Sequence, residues 1–336
     1  MKLHQDKRLF RQAVQFTSDQ MQVPAIYVEK DYWVTYALFN IFNDKIGSDT
    51  VFKGGTALSK CFGIIQRFSE DIDLVVLRRE GESNNKLTNK IKAISKVVST
   101  VLPEIDVPGL TQKMGMNRKT AHSYNKEFQG DYGQVRNAIV VEATWLGYFE
   151  PYTTKSLCSF LGQMMIDNQQ IEIANKNNLL PFDVLVLEPI RTICEKIMSL
   201  VRFSYSENPI EALKNKIRHI YDLNRLLLEK ELLIFFNTKE FDDMLLKVAH
   251  DDVISFKNNN KWLKNHPSSS LIFDEPKKVW RDLKSTYETD FKNLVYGNFP
   301  EEKELLKTLE VIKIRLSSVD WKLKIEDERT INLSKK

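Results

Sequence analysis

A chain of 336 residues with 42% hydrophobic content holds enough apolar material for a buried core, which excludes disorder as a description; the length fits two domains or one elaborated domain. Lys and Arg total 49 against 45 for Asp and Glu, so the net charge of +4 permits an acidic partner without requiring one. No stretch approaches the roughly 18 to 20 apolar residues of a membrane span, and the N-terminus MKLHQDKRLFRQAVQF is charged throughout. Cys61, Cys158 and Cys194 lie far apart with no CxxC pairing, and the 5 histidines show no zinc spacing. Reduced thiols in a soluble, cytoplasmic protein that needs no membrane are the expectation.

Taken in chain order, apolar positions at helical spacing over 7–43 (Phe10, Val14, Phe16, then Tyr32, Val34, Leu38, Ile41) predict two helices broken near Pro24. Residues 50–53 read as a short strand, Gly54-Gly55 as a turn, 56–63 as one or two helical turns, and 71–77 as an alternating strand. A helix is predicted over 86–102, ending at Pro103, then strands over 105–115, 134–146 and 168–175, the second marked by the β-branched run from Val135 to Trp145. From about Pro181 the pattern is helical: 188–203, 209–228, 231–250, 276–293 and 301–316, with the polar stretch 257–270 as an exposed loop. The expected class is α+β, with a domain over 1–180 built on a small sheet and a helical domain over 181–336.

The segment FKGGTALSKCFGIIQRFSEDIDLVV, residues 52–76, carries the chemistry. Gly54 and Gly55 let backbone approach a phosphate closely, the N–H groups opening the following helix face that anion, and Thr56 and Ser59 can add hydroxyl donors. Asp71 and Asp73, two apart on a strand, present both carboxylates on one face, a platform that suits Mg²⁺ with water and phosphate oxygens completing its shell. Singly, the acids read as solvated strand-end residues and the glycines as a tight turn; together in one strand, helix, strand unit they point to nucleotide transfer. Arg67 is either a phosphate clamp or a loop arginine paired with Glu70. Lys53 and Lys60, flanking the turn, are either phosphate contacts or exposed. Glu142 interrupts an apolar strand and is either a third metal carboxylate or paired with a base such as Arg136. No GxSxG elbow, Walker GxxxxGK[ST], HExxH or GxGxxG fingerprint is present.

KGGTALSK followed by RFSEDIDL resembles the AbiEii/AbiGii toxin family, polymerase-β-like nucleotidyltransferases that are the toxins of type IV toxin–antitoxin and abortive-infection systems. VEKDYWVTYALFNIF (28–42), EPIRTICEKIMSLVRF (188–203), IRHIYDLNRLL (217–227) and VWRDLKSTYETDFKNLVYG (279–297) are similar to further family segments. The resemblance implies a polymerase-β-like domain with a small mixed sheet and a helical domain completing the active-site cleft. It implies that Ser69, Asp71 and Asp73 form the metal and triphosphate corner, that Lys196 contacts the triphosphate, and that Asp222 is needed for activity, by orienting Lys196 or Arg218 or assisting nucleotide binding. From the sequence alone Lys196 and Asp222 read as an ordinary helix-surface pair, and only the resemblance reverses that reading. His219 stands where the family more often has an acid and reads as structural.

The implied reaction is Mg²⁺-dependent transfer of NMP from an NTP to an acceptor, the 3′ end of tRNA foremost, blocking translation and growth, with a separately encoded antitoxin and a place in phage defence. The basic stretch 112–126, with Lys113, Arg118, Lys119 and Lys126 beside His122 and Tyr124, and the helix carrying Lys214, Lys216, Arg218 and Arg225, are the candidate RNA contacts. The alternatives are modification of a protein or small molecule, and a non-catalytic NTP-binding regulator.

Overall fold

The computed structural model describes residues 1–130, 135–147, 149–256 and 259–323. The chain divides into two units, one formed by Met1–Glu188 with Asn293–Asn298, the other by Pro189–Lys292 with the chain from Phe299 onward.

In the first unit the carboxylate of Asp6 accepts the N–H of Leu9 and so caps α1 (Lys7–Met21). The helix stops where Gln22 turns left-handed, two residues before Pro24. The next helix, α2 (Ala25–Asn43), is buried on nearly every side, including the consecutive charges Glu29, Lys30 and Asp31. A helix enclosed all round is normally apolar all round, so three charges in it need partners. There follow β1 (Thr50–Lys53), α3 (Gly54–Lys60), β2 (Ile72–Val76), α4 (Asn84–Ser99), β3 (Glu104–Ile105), β4 (Gln112–Lys113), β5 (Asn117–His122), β6 (Ile139–Thr144), β7 (Tyr152–Leu157), α5 (Phe160–Asp167), α6 (Ile171–Lys176) and β8 (Phe182–Leu187).

Among the described residues these strands form one eight-stranded mixed sheet, ordered β3-β5-β6-β2-β1-β8-β7 with β4 beside β5. β1 and β2 are antiparallel, while β2–β6 and β1–β8 are parallel. α2 packs on β6 and β8, and α4 on β2, β5 and β6. Ile72, Leu74 and Val76 are fully buried, as alternation predicts for one face of a strand.

The α+β class holds, and several local expectations are corrected. Residues 168–175, read as a strand, contain α6: Ile171 and Ile173 imitate strand alternation, yet both are exposed and Ala174 is the buried residue. The strand expected over 105–115 shrinks to the two-residue β3 and β4, and the strand expected over 134–146 becomes β6, residue 134 lying outside the described residues. The basic stretch around 117–122 is strand β5. The boundary at 180/181 falls on the wrong side of β8, which pairs with both β1 and β7, and 293–298 also belongs to the first unit.

The second unit is helical: α7 (Pro189–Ser204), α8 (Pro209–Lys214), α9 (Ile217–Leu228), α10 (Lys230–Phe236), α11 (Lys239–Ser255), α12 (Leu271–Asp274), α13 (Pro276–Thr286) and α14 (Glu302–Ser317). α7 packs against α9 and α11, and α14 against α9, α12 and α13, around Ile197, Ile220, Phe241, Trp280 and Leu309. The helix expected over 231–250 is two helices because Arg315 takes the carbonyls of Phe236 and Thr238, each at 2.8 Å, and pairs with Asp242 at 2.6 Å; the corner's unpaired carbonyls thereby find donors. Within the stretch 257–270, of which 257 and 258 lie outside the described residues, Trp262 and Leu263 are buried in a 3-10 turn, so this segment is not a solvated loop.

Candidate active site

Gly54 sits at φ +82°, a left-handed conformation that glycine adopts freely. A Cβ placed there would collide with Oδ2 of Asp73, so the missing side chain is the space into which that carboxylate extends. A Cβ on Gly55 would come within 2.7 Å of Arg67 Nη2 and 3.1 Å of Ser69 Oγ. The glycine pair therefore lets backbone lie directly against Asp73 on one side and the Arg67–Ser69 loop on the other. α3 has only seven residues and no side-chain cap from Lys53, so its anion-binding capacity resides in the first-turn N–H groups.

The hydroxyls serve the turn itself. Thr56, expected as a phosphate donor, is buried; it donates to the carbonyl of Asp71 at 2.6 Å and lies 2.9 Å from Ser69 Oγ, tying α3 to the chain entering β2. Ser59 is 3.2 Å from the Tyr296 hydroxyl. Arg67 is 2% exposed and donates to the Phe68 carbonyl, its fork lying beneath Gly55. Glu70 pairs with Lys30 and with Arg136, and Arg67 braces the turn from inside, adding positive charge beneath it.

Strand register aligns the charges. Asp73 stands opposite Lys53 on β1 and Glu142 on β6, and Glu142 stands opposite Lys119 on β5, so the four side chains form one row across one sheet face. Lys119 lies 2.9 Å from Glu142 Oε2, and Asn117 donates to Oε1 at 3.2 Å, which replaces the expected pairing with Arg136. Burial opposes the charge on Glu142, but Lys119, Asn117 and Lys53 outweigh it and hold the carboxyl below its ordinary range. Arg136 instead reaches Asp71, Nη1 to Oδ1 2.7 Å, so Asp71 is an ion-paired residue and not a merely solvated strand-end acid. Among the described residues no three or more His, Cys, Asp or Glu side chains converge as a metal cluster, so Glu142 is a register neighbour of Asp73 and not part of a gathered trio. Asp71 and Asp73 offer hard oxygen donors of the kind Mg²⁺ uses with water and phosphate oxygens, and the space left by Gly54 accommodates the second carboxylate.

Sequence reasoning missed the support beneath this corner. Glu29 accepts the N–H groups of Glu127 and Phe128 at 2.7 and 3.1 Å. Lys30 pairs with Glu70 and donates to the Arg136 carbonyl. Asp31 pairs with Lys60 at 2.5 Å and accepts the N–H of Phe160 at 2.7 Å, which removes Lys60 from the exposed residues flanking the turn. Burial presses Lys30 below and Glu70 above their ordinary values, the attraction between them opposing it in each case. A second brace is the segment 293–298, where Phe68 N–H donates to the Leu294 carbonyl at 2.7 Å and Tyr296 N–H to the Gln66 carbonyl at 3.0 Å. The available signal was three adjacent charges, Glu29-Lys30-Asp31, inside an otherwise apolar helix.

In the helical unit Lys196 on α7 and Asp222 on α9 form an ion pair of 2.6 Å, with both side chains buried, so the helix-surface reading is corrected. Burial first, then Lys196, Lys216 and Arg218, push the His219 imidazole well below its ordinary value, leaving it neutral. The candidate RNA contacts are largely engaged within the fold. Lys113 lies 2.6 Å from Glu104, Arg118 donates to Ser95 Oγ at 2.7 Å, and Lys214 is 3.4 Å from Glu211. His122 and Tyr124 are buried and offer no stacking platform. Arg218 is half-buried.

Among solved structures the chain is similar to MenT4, a nucleotidyltransferase toxin from Mycobacterium tuberculosis, with 15% identity over 89% of this chain and 98% of that one, at a TM-score of 0.46. It is similar also to an H. pylori protein classed provisionally as a nucleotidyltransferase, with 13% identity over 87% and 96%, at a TM-score of 0.39. No curated protein matches. The family model for the nucleotidyl transferase AbiEii toxin of type IV toxin–antitoxin systems matches residues 36–323, a span that takes in the glycine turn, both aspartates and the Lys196–Asp222 pair but begins after Glu29-Lys30-Asp31. The chain therefore belongs to the AbiEii nucleotidyltransferase toxin family of type IV toxin–antitoxin systems.

Proposed function

We propose that this toxin transfers a nucleoside monophosphate from an NTP to the 3′ end of tRNA, with Asp71 and Asp73 holding Mg²⁺ and the first turn of α3 receiving the triphosphate. The observation that carries this reading is the contact of the Gly54 backbone with the Asp73 carboxylate, which brings an anion-accepting turn and a cation-accepting acid to one point. When bound, the metal would supply charge stabilisation to the triphosphate and to the attacking hydroxyl. The chain's own residues bind and orient. Ser69 and Thr56 fix the approach of the chain to Asp71, Arg67 supports the glycine turn, and Lys53 lies across from Asp73 as a cation for phosphate oxygens. The same reading takes Lys196, held by Asp222, as a triphosphate contact. It assigns the toxin to the cytoplasm, beside a separately encoded antitoxin, with growth arrest and phage defence as its outcome.

A second acceptor class is favoured by one observation. Lys113 and Lys119 are matched by Glu104 and Glu142, while Arg118, bonded to the Ser95 hydroxyl, keeps its charge, so the face expected to track RNA is less basic than its sequence. A protein or small-molecule acceptor fits that less basic surface. Purified protein incubated with total tRNA, Mg²⁺ and each labelled NTP in turn, beside the Asp71→Ala, Asp73→Ala variant, separates the readings. Label on tRNA with wild type alone supports the proposal, label on protein promotes the second reading, and NTP binding without transfer points to a non-catalytic regulator.

A further inference from the structure

Arg136 is held in an unusual way. Its backbone N–H donates to Glu70 Oε1 at 2.8 Å, its carbonyl accepts from Lys30, and Lys30 and Glu70 pair with each other in the interior. Burying an ion pair is expensive, and apolar residues of similar volume often serve stability as well. Here the pair fixes both backbone polar groups of one residue. That residue's side chain is 38% exposed, and its Nη1 lies 2.7 Å from Asp71 Oδ1 and 3.7 Å from Glu70 Oε1. The mount thus holds both backbone polar groups of a residue whose guanidinium is partly exposed beside Asp71.

Building on the nucleotidyltransferase reading, we propose that Arg136 is a triphosphate-binding residue, held on Asp71 before substrate arrives and passed to a phosphate oxygen when metal and NTP bind. An arginine on a carboxylate occupies an oxygen that a divalent cation would otherwise take. A cation held by Asp71 would repel the guanidinium, and the planar fork of Arg136 would find matching acceptors on the triphosphate beside it. Only the side chain needs to move, because Lys30 and Glu70 keep the backbone in place. Both residues act through Arg136 and are positioning residues.

The test is binding by the full-length protein. Titrate ATP, GTP, CTP and UTP in turn with Mg²⁺ by calorimetry, and Mn²⁺ alone by the electron paramagnetic resonance of the free ion. Losing a hydrogen bond between charged groups predicts that Arg136→Ala weakens NTP binding roughly ten- to hundredfold, with Arg136→Lys recovering only part. Mn²⁺ alone should bind Arg136→Ala at least as tightly as wild type, an outcome that a merely structural arginine would not produce. Unchanged NTP affinity, or Mn²⁺ binding that weakens in parallel, overturns the proposal. The Lys30→Met, Glu70→Leu double variant, its fold checked by thermal unfolding, should show the same NTP defect with Arg136 still present; wild-type affinity there overturns the mount. A wild-type protein that binds no NTP would sink the nucleotidyltransferase reading itself, whereas wild-type binding matched by Arg136→Ala removes this inference alone.

Discussion

Lys30–Glu70 in the sheet-bearing unit and Lys196–Asp222 in the helical unit are both buried lysine–carboxylate pairs, but they are attached to the chain differently. The first captures the backbone of Arg136, so the cost of burying its charges has a visible use in holding a loop beside Asp71. The second joins side chain to side chain between α7 and α9, helices already packed through buried aliphatic residues. An ion pair there contributes little to stability that an apolar pair would not. Of two similar pairs, the first is explained by the loop it holds, and the proposed function gives the second a use as a triphosphate contact.

The strongest way to break that comparison is through activity. Loss of several kcal/mol of charge stabilisation corresponds to roughly a thousandfold in rate, so Asp73→Ala should all but abolish nucleotide transfer with its unfolding curve little changed. The Lys196→Met, Asp222→Leu variant should likewise fold and fail to transfer label; full activity in it would reduce the second pair to packing.

Stability sharpens the contrast next. Removing one partner leaves a buried charge uncompensated, so Lys30→Ala and Lys196→Ala should each lose about 3–5 kcal/mol in denaturant unfolding. Gly54→Ala should cost about 1–2 kcal/mol from its left-handed backbone, while lowering transfer by more than that loss of stability accounts for, because the new methyl group displaces the Asp73 carboxylate. Wild-type transfer by Gly54→Ala would show that the close approach is incidental.

The smallest effect concerns a lysine–carboxylate contact outside the site. Glu82 accepts the N–H of Arg79 and lies 2.8 Å from Lys90, and these contacts hold its carboxyl at about 2 against an ordinary 4.5. A depressed folded-state value contributes stability that is fully present above pH 4.5 and is lost as pH falls towards about 2. Glu82→Gln should flatten that part of the stability profile in chemical denaturation between pH 5 and 3, leaving transfer at neutral pH intact.

Much of the first unit was legible because its signals are local. Gly54-Gly55 and the Asp71-Ile72-Asp73 spacing depend on backbone geometry over a few residues, and α1, α2, β1, β2 and α4 follow from hydrophobic period and punctuation. β5, β7 and β8 were illegible for complementary reasons. Asn117–His122 is polar and basic and resembles a loop, Tyr152–Leu157 is an edge strand with few apolar residues, and the β-branched signal of Phe182–Leu187 is absorbed into the helical pattern read from Pro181, because the strand runs almost directly into a helix. Only pairing to neighbours makes strands of the first two.

What the sequence by itself determined is the class of chemistry: two aspartates two residues apart, Asp71 just before β2 and Asp73 within it, after a glycine pair, with enough family pattern along the chain to indicate a nucleotidyltransferase toxin. Tertiary structure decided the partners, setting Glu70 on Lys30, Arg136 on Asp71, Lys119 on Glu142 and Lys196 on Asp222. The reason is physical. Spacing along a strand or helix follows from bond geometry, whereas the choice of counter-charge depends on which distant segments the fold brings within hydrogen-bond reach and how far it shields them from water.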